Sequence, residues 1–174
     1  MRLDGNRKLL DMTPDEFITA SSQLATLHFN AAKELLPNLN GDSTSYTFVT
    51  GDGGGHPSTV RSALGELNSY HVWGLSAALR AELKDGNVAC REIRIGLPVN
   101  RPEAERIQKP RPRPLSEDIG DLCAGVACAP KEKMHGELMY VDSQDSLEDF
   151  LIQFNATKDK NINLPNLWEF SGSL

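Results

Sequence analysis

Apolar residues recur at helical spacing near the start of the chain. Between residues 13 and 36 they form two stripes at intervals of three and four positions, the pattern of an amphipathic helix. Thr13, Pro14 and Glu16 supply an N-cap, a proline at the first helical position and the partner of a capping box. We predict a helix over residues 13–36 with contacts on two sides. One stripe contains Phe17, Ser21, Leu24, His28, Ala31 and Leu35, and the other contains Ile18, Ala25, Phe29, Ala32 and Leu36.

Short β-branched and aromatic runs alternate with helical segments in the rest of the chain. The run YTFVT at 46–50 predicts a strand, which a glycine-rich turn follows at 51–55. Strands alternating with helices imply right-handed crossovers and a parallel sheet covered on both faces. The predicted fold class is α/β: a partial Rossmann-like, doubly wound fold whose mostly parallel sheet of about three strands is flanked by helices. Further strands are predicted over residues 87–95 and 136–142, and further helices over 58–84, 116–130 and 146–154.

One domain accounts for most of the chain. We assign residues 13–154 to it, after a loose lead-in over residues 1–12 and before a polar tail over 155–174. Inside the domain, residues 99–114 hold four prolines and five Lys or Arg residues, which predicts an extended loop. This basic loop also suits docking to an acidic or proline-reading partner.

Composition excludes several classes of protein. The chain has 174 residues, 39% of them hydrophobic and 24% charged, as expected of an ordinary soluble globular protein. A net charge of −6 argues against a nucleic-acid binder, and no apolar run approaches the ~20 residues that span a bilayer. Three cysteines at irregular spacing (Cys90, Cys123 and Cys128) favour buried free thiols in a reducing intracellular compartment, the cytoplasm by default.

Five segments, taken together and in order, carry a family resemblance. They are TPDEF and AAKELLP at 13–17 and 31–37, SYTFVTG at 45–51, GLSAALRAEL at 74–83, and EDI with GELMYVD at 117–119 and 136–142. At this spacing the chain resembles the C-terminal half of the short-chain dehydrogenase/reductase family, from its fourth helix to its last strand. The resemblance implies a Rossmann-like fold and an oxidoreductase ancestry.

The catalytic and cofactor-binding residues of that family have no counterpart here. Its catalytic tyrosine and lysine fall at Gly65 and Ser69, neither of which can pass a proton to a substrate oxygen. Its serine falls near residues 50–52. No glycine-rich dinucleotide motif is present, so pyrophosphate lacks its usual backbone donors. We therefore predict no catalytic residues, no metal ligands and no cofactor, with NAD or NADP as the alternative.

Two groups of polar residues are better explained by ordinary structural roles than by catalysis or ligand binding. The glycine turn that ends at His56 could cradle an anion on its backbone amides, but a flexible connection is the usual role of such a run. Asp52 and His56 could form an acid/base pair or half a metal site, yet the sequence offers no third ligand. Thr50, Ser69 and Tyr70 could form a replacement active site, and we favour ordinary packing for them.

The second long helix carries a separate stripe at positions i, i+4, i+7 and i+11. The resemblance implies that the two long helices form the main subunit interface, a four-helix bundle, and aromatic anchors suit that role. Packing of Tyr70 and Trp73 against the first helix of the same chain is the alternative. The candidate interface residues are Glu66, Tyr70, Trp73 and Ala77, together with Leu24 and His28 of the first helix.

These observations predict a non-catalytic protein that resembles the family in fold alone. It would act as a structural or interaction subunit of a homo- or hetero-oligomer. Its protein partner, or a second copy, would bind the two long helices or the exposed sheet edge that the missing half leaves bare. The alternative is part of an NAD(P)-dependent oxidoreductase whose cofactor-binding half lies upstream or on a partner chain.

Overall fold

A computed structural model describes residues 8–39, 44–51, 62–99, 116–130, 132 and 135–155. The predicted glycine turn, with Asp52 and His56, lies outside the described residues, as do residues 100–114 and the tail from residue 156. The remaining predictions can be compared with the structure.

Three strands alternate with helices, which confirms the α/β fold class. The strands are β1 (Ser45–Gly51), β2 (Ala89–Ile95) and β3 (Leu138–Val141). The helices are α1 (Pro14–Leu35), α2 (Ala63–Glu82), α3 (Ser116–Cys128) and α4 (Gln144–Asn155), with 3-10 turns at Leu9–Asp11 and Leu36–Asn38.

The start of α1 has the predicted capping box. The Thr13 hydroxyl accepts from the Glu16 N–H, and the Glu16 carboxylate accepts from the Thr13 N–H at 2.9 Å. Two backbone donors at the helix end are thereby satisfied. Helix α2 begins later than predicted, because Ser62 is its N-cap and accepts from the Gly65 N–H.

The sheet is parallel throughout, in the order β1-β2-β3. Ser45 lies opposite Ala89, and Glu92 lies opposite Leu138. Strand β2 is therefore central, and its residues 89–93 are all buried. A parallel strand in this position is covered on both faces, which explains the buried run.

Helices cover both faces of the sheet. The even-numbered side chains of β2 point to α2, where Glu92 accepts from Ser76, and α1 packs beside α2. The odd-numbered side chains point to α3 and α4 and join the main hydrophobic core. Its buried members are Ile93, Ile119, Leu122, Val126, Ala129, Met139, Val141, Leu147 and Phe154.

The two crossovers have opposite hands. Both β1 to β2 and β2 to β3 step in the same direction across the sheet, yet α2 and α3 lie on opposite faces. One crossover is therefore left-handed, so the expectation of two right-handed units is wrong for one of them. Twenty residues separate Ile95 from Ser116, enough chain to pass around the edge of the sheet to the other face.

Candidate functional site

The predicted stripe on α2 lies on its flank away from α1. Tyr70 is 52% exposed and Ala77 is exposed, whereas Glu66 and Trp73 are half-buried. The rings of Tyr70 and Trp73 meet edge to face at 4.7 Å between centroids. The structure thus places an aromatic pair on the surface of this helix.

Trp73 packs towards the sheet. The guanidinium of Arg94, on β2, stands 4.4 Å from the Trp73 ring centroid in a cation–π contact. Tyr70 contacts Trp73 and keeps about half of its surface exposed. A partner could therefore contact Tyr70.

The two long helices are joined by polar contacts. The Asn68 amide donates to the Ala20 carbonyl at 3.0 Å, and its oxygen accepts from the Leu24 N–H at 3.4 Å. A ring nitrogen of His71 bonds the Ser21 carbonyl. These bonds satisfy polar groups within the chain and set the spacing of α1 against α2.

A cavity of about 210 Å³ opens between α1, α2 and the carboxyl end of β1. Ligand sites of open parallel sheets form at the carboxyl ends of strands, which makes this cavity the first place to look for chemistry. Leu24 and His28 of α1 line it together with Trp73 of α2. Its lining residues are Leu24, His28, Val49, Thr50, Gly51, Ser69, Val72 and Trp73.

The two hydroxyls of this cavity are engaged within the protein. The Ser69 hydroxyl donates to the Gly65 carbonyl at 3.1 Å, and the Thr50 hydroxyl donates to Glu92 at 2.8 Å. Gly65, Ser69 and Thr50 lie at or near the positions that the family resemblance predicts for the reactive tyrosine, lysine and serine. None of them presents a phenol, ammonium or activated hydroxyl, so the geometry offers no proton-transfer machinery of that kind.

A buried carboxylate lies beneath α2, and sequence reasoning missed it. Glu92 is 1% exposed. Its oxygens accept from Thr50 at 2.8 Å and from Ser76 at 2.7 Å. Arg94 binds the same carboxylate at 2.7 Å and Arg80 at 3.4 Å. We call these five residues the Glu92 cluster.

The Glu92 cluster links the strand to the helix above it. One Arg80 nitrogen also donates to the Gly136 carbonyl at 2.9 Å, and Arg94 carries its charge onto the Trp73 ring. With two hydroxyls and two guanidinium groups around it, the Glu92 carboxylate is a satisfied structural anchor. The signal in the sequence was three charged residues inside NVACREIRI, because charges in a buried central strand must be paired.

Arg91 anchors the opposite face in a similar way. It is 1% exposed and donates to the Ala129 and Pro130 carbonyls at 2.9 and 2.8 Å, as well as to Val126. These carbonyls follow the last turn of α3, where a cation is favourable. Burial lowers the pKa of Arg91.

The cysteines differ in their environments. Burial raises the pKa of the Cys90 thiol to about 11, and burial also raises the pKa of Cys123. A raised pKa lowers the fraction of thiolate, the reactive form, at both residues near neutral pH. Cys128 is exposed, so the prediction of three buried thiols is wrong for this residue. It is the last residue of α3.

Within the part of the chain that is described, no three His, Cys, Asp or Glu side chains come together as a metal site. No helix there is long and apolar enough to span a membrane. The chain matches no known protein-family model, no curated protein and no solved structure.

Proposed function

We propose that this chain is a non-catalytic interaction subunit that acts by binding another polypeptide chain. The observation that carries the proposal is the exposed apolar surface of α1, a helix of 22 residues. Six large apolar side chains on it are at least 38% exposed, although the helix already packs on α2. Large apolar side chains exposed in this number on one helix mark interaction sites. The residues are Phe17, Ile18, Leu24, Leu27, Phe29 and Leu35.

The groove between the long helices extends this surface. Leu24 and Leu27 line it on α1, and Gly65, Asn68 and Ser69 line it on α2, around a volume of about 420 Å³. On the other flank of α2, Tyr70 and Trp73 provide the aromatic residues that often dominate binding energy. The engaged hydroxyls of Thr50 and Ser69 support the same proposal, because each already donates its proton within the protein.

Matched charge substitutions on opposite sides of the sheet test this proposal. Phe29→Asp places a carboxylate on the apolar surface of α1, where Phe29 is 48% exposed, and Ile152→Asp places one on α4, where Ile152 is 69% exposed. Tagged full-length chains are purified from the natural source, and the mass of the complex is measured by light scattering. We expect Phe29→Asp to release the partner and Ile152→Asp to retain it. Equal behaviour of the two variants refutes the proposal.

The second candidate is half of an NAD(P)-dependent oxidoreductase, favoured by the parallel three-stranded sheet with one bare edge at β1. A titration followed by NADPH fluorescence separates the two candidates. We expect no saturable change with the chain alone. Saturable binding by the purified complex, lost when this chain is removed, favours the oxidoreductase.

A further inference from the structure

Strand β1 has a free edge in the described part of the chain. Among the described residues it pairs with β2 alone. The Ala89 N–H donates to the Thr44 carbonyl at 3.2 Å, so the backbone groups of residues 46, 48 and 50 also point to β2, by the alternation of a strand. The backbone groups of Thr47 and Val49 therefore point to the free edge.

This edge lacks the features that keep strands from pairing. Residues 45–51 read SYTFVTG, with no charge and no proline, and Val49 is 47% exposed. The opposite edge, at β3, has only four residues and is flanked by Glu137 and Asp142. Charges and short length protect an edge strand, and their absence at β1 indicates that this edge is normally covered.

Helix α1 lies above the space beside the free edge of β1. It lies on the β1 side of α2, where His28 and Phe48 are 6.0 Å apart between ring centroids, and α2 itself packs on both β1 and β2. Packed helices are ~8–10 Å apart and paired strands ~4.8 Å, so α1 runs above the next strand position beyond β1. Helix α1 therefore covers one face of that position.

The side of α1 that faces this strand position is apolar. Ala32 faces the sheet and is 1% exposed, whereas Ile18 and Phe29 occupy the adjoining flank away from α2 and are 62% and 48% exposed. These are members of the second apolar stripe of α1. A strand placed beneath the helix would cover them.

We propose that the β1 edge and the Ile18–Phe29 flank of α1 together accept one extended strand from a different polypeptide chain, apolar on its face towards α1. The inference rests on the proposed function, whose binding surface and partner segment it specifies. A second copy of this chain cannot occupy the site with its own β1 strand. If two β1 strands paired about a two-fold axis, both helix layers would lie on the same side of the sheet. The α1 helix of the second copy would then collide with α2.

Amide hydrogen exchange tests strand addition directly. The tagged chain is measured alone and in the complex recovered from its natural source. We expect the amides of residues 46, 48 and 50 to be protected in both samples, and those of Thr47 and Val49 only in the complex. This alternation arises from new backbone bonds at the edge and not from contacts between helices.

Other exchange patterns overturn the inference. Protection confined to the amides of α1 and α2 would leave the proposed function standing and remove the strand site. Protection of residues 47 and 49 in the free chain that disappears on dilution would identify a second copy as the occupant. A chain that recovers no partner would contradict both the inference and the proposed function.

A pair of substitutions at one position provides the second test. Thr47→Pro removes an outward N–H without removing a bond to β2, and Thr47→Val keeps that N–H and the shape of the side chain. The buried Thr47 hydroxyl has no hydrogen-bond partner among the described residues, so its loss costs little. We expect Thr47→Pro to weaken the complex roughly 10-fold or more and Thr47→Val to leave it unchanged. Equal affinities of the two variants would overturn the inference.

Discussion

Neutralising the buried carboxylate of the Glu92 cluster should destabilise the fold strongly. Glu92→Gln keeps the shape of the side chain and removes its charge, so Arg80 and Arg94 lose their counter-ion. Both arginines are largely buried, with side-chain exposures of 13% and 17%, and water compensates them poorly. Removal of one partner from a buried ion pair costs about 3–5 kcal/mol, and the amide keeps part of the hydrogen bonding. We therefore expect a loss of about 3 kcal/mol in the free energy of unfolding.

Urea unfolding followed by circular dichroism measures this loss. The matched control is Glu34→Gln on the exposed surface of α1, for which we expect a change within about 0.5 kcal/mol. The double variant Glu92→Gln with Arg94→Gln should be less destabilised than the sum of the single variants by about 1 kcal/mol or more, because the two residues contact each other. A Glu92→Gln protein as stable as the wild type would refute the assignment of this cluster as an anchor.

Two further predictions concern packing and thiols. A Cβ at Gly125 would stand 2.7 Å from the Cβ of Phe154, so Gly125→Ala should lower the free energy of unfolding by about 1–3 kcal/mol. A Cβ at Gly74 would have no atom within 4 Å, so Gly74→Ala should raise the free energy of unfolding by about 0.5–1 kcal/mol. Equal shifts of the two variants in thermal unfolding would contradict the packing around Gly125. Because burial raises the pKa of Cys90 from 9.0 to about 11, its contribution to stability is complete below pH 9 and is lost as the pH rises through 11. Cys90→Ala should therefore lose less stability between pH 8 and 10.5, and at pH 8 a thiol reagent should label the exposed Cys128 well before Cys90 in the wild type.

The fold class could be predicted because its signals are local. The capping box at Thr13 and Glu16 follows from residue types three positions apart, and the β-branched run around Phe48 marks a strand before any packing is known. The alternation of strands and helices then indicates a parallel sheet. Each of these inferences depends on neighbours in sequence.

The placement of α3 could not be predicted in the same way. Which face a crossover helix covers depends on the path of residues 96–115 and on contacts such as Arg91 with the end of α3. The general preference for right-handed crossovers pointed to the wrong arrangement for one unit. Tertiary contacts between residues 38 positions apart decide this feature.

The Glu92 cluster was missed for a related reason. Its members come from β1, α2 and β2, and the sequence alone does not show that Thr50 and Ser76 lie above the same carboxylate. Charged residues in the predicted strand over residues 87–95 were the available clue. By contrast, helical spacing put Tyr70 on a separate stripe and the family resemblance implied that it faces a partner, and the structure leaves it 52% exposed.

The mass of the chain purified from its natural source, measured by light scattering over a range of dilutions, tests the central claim most directly. Mass spectrometry of the same fractions identifies whatever co-elutes. The account predicts a species well above the 19.1 kDa of one chain that contains a second polypeptide in a constant ratio. A single chain of 19.1 kDa at every concentration, with no companion, would contradict it.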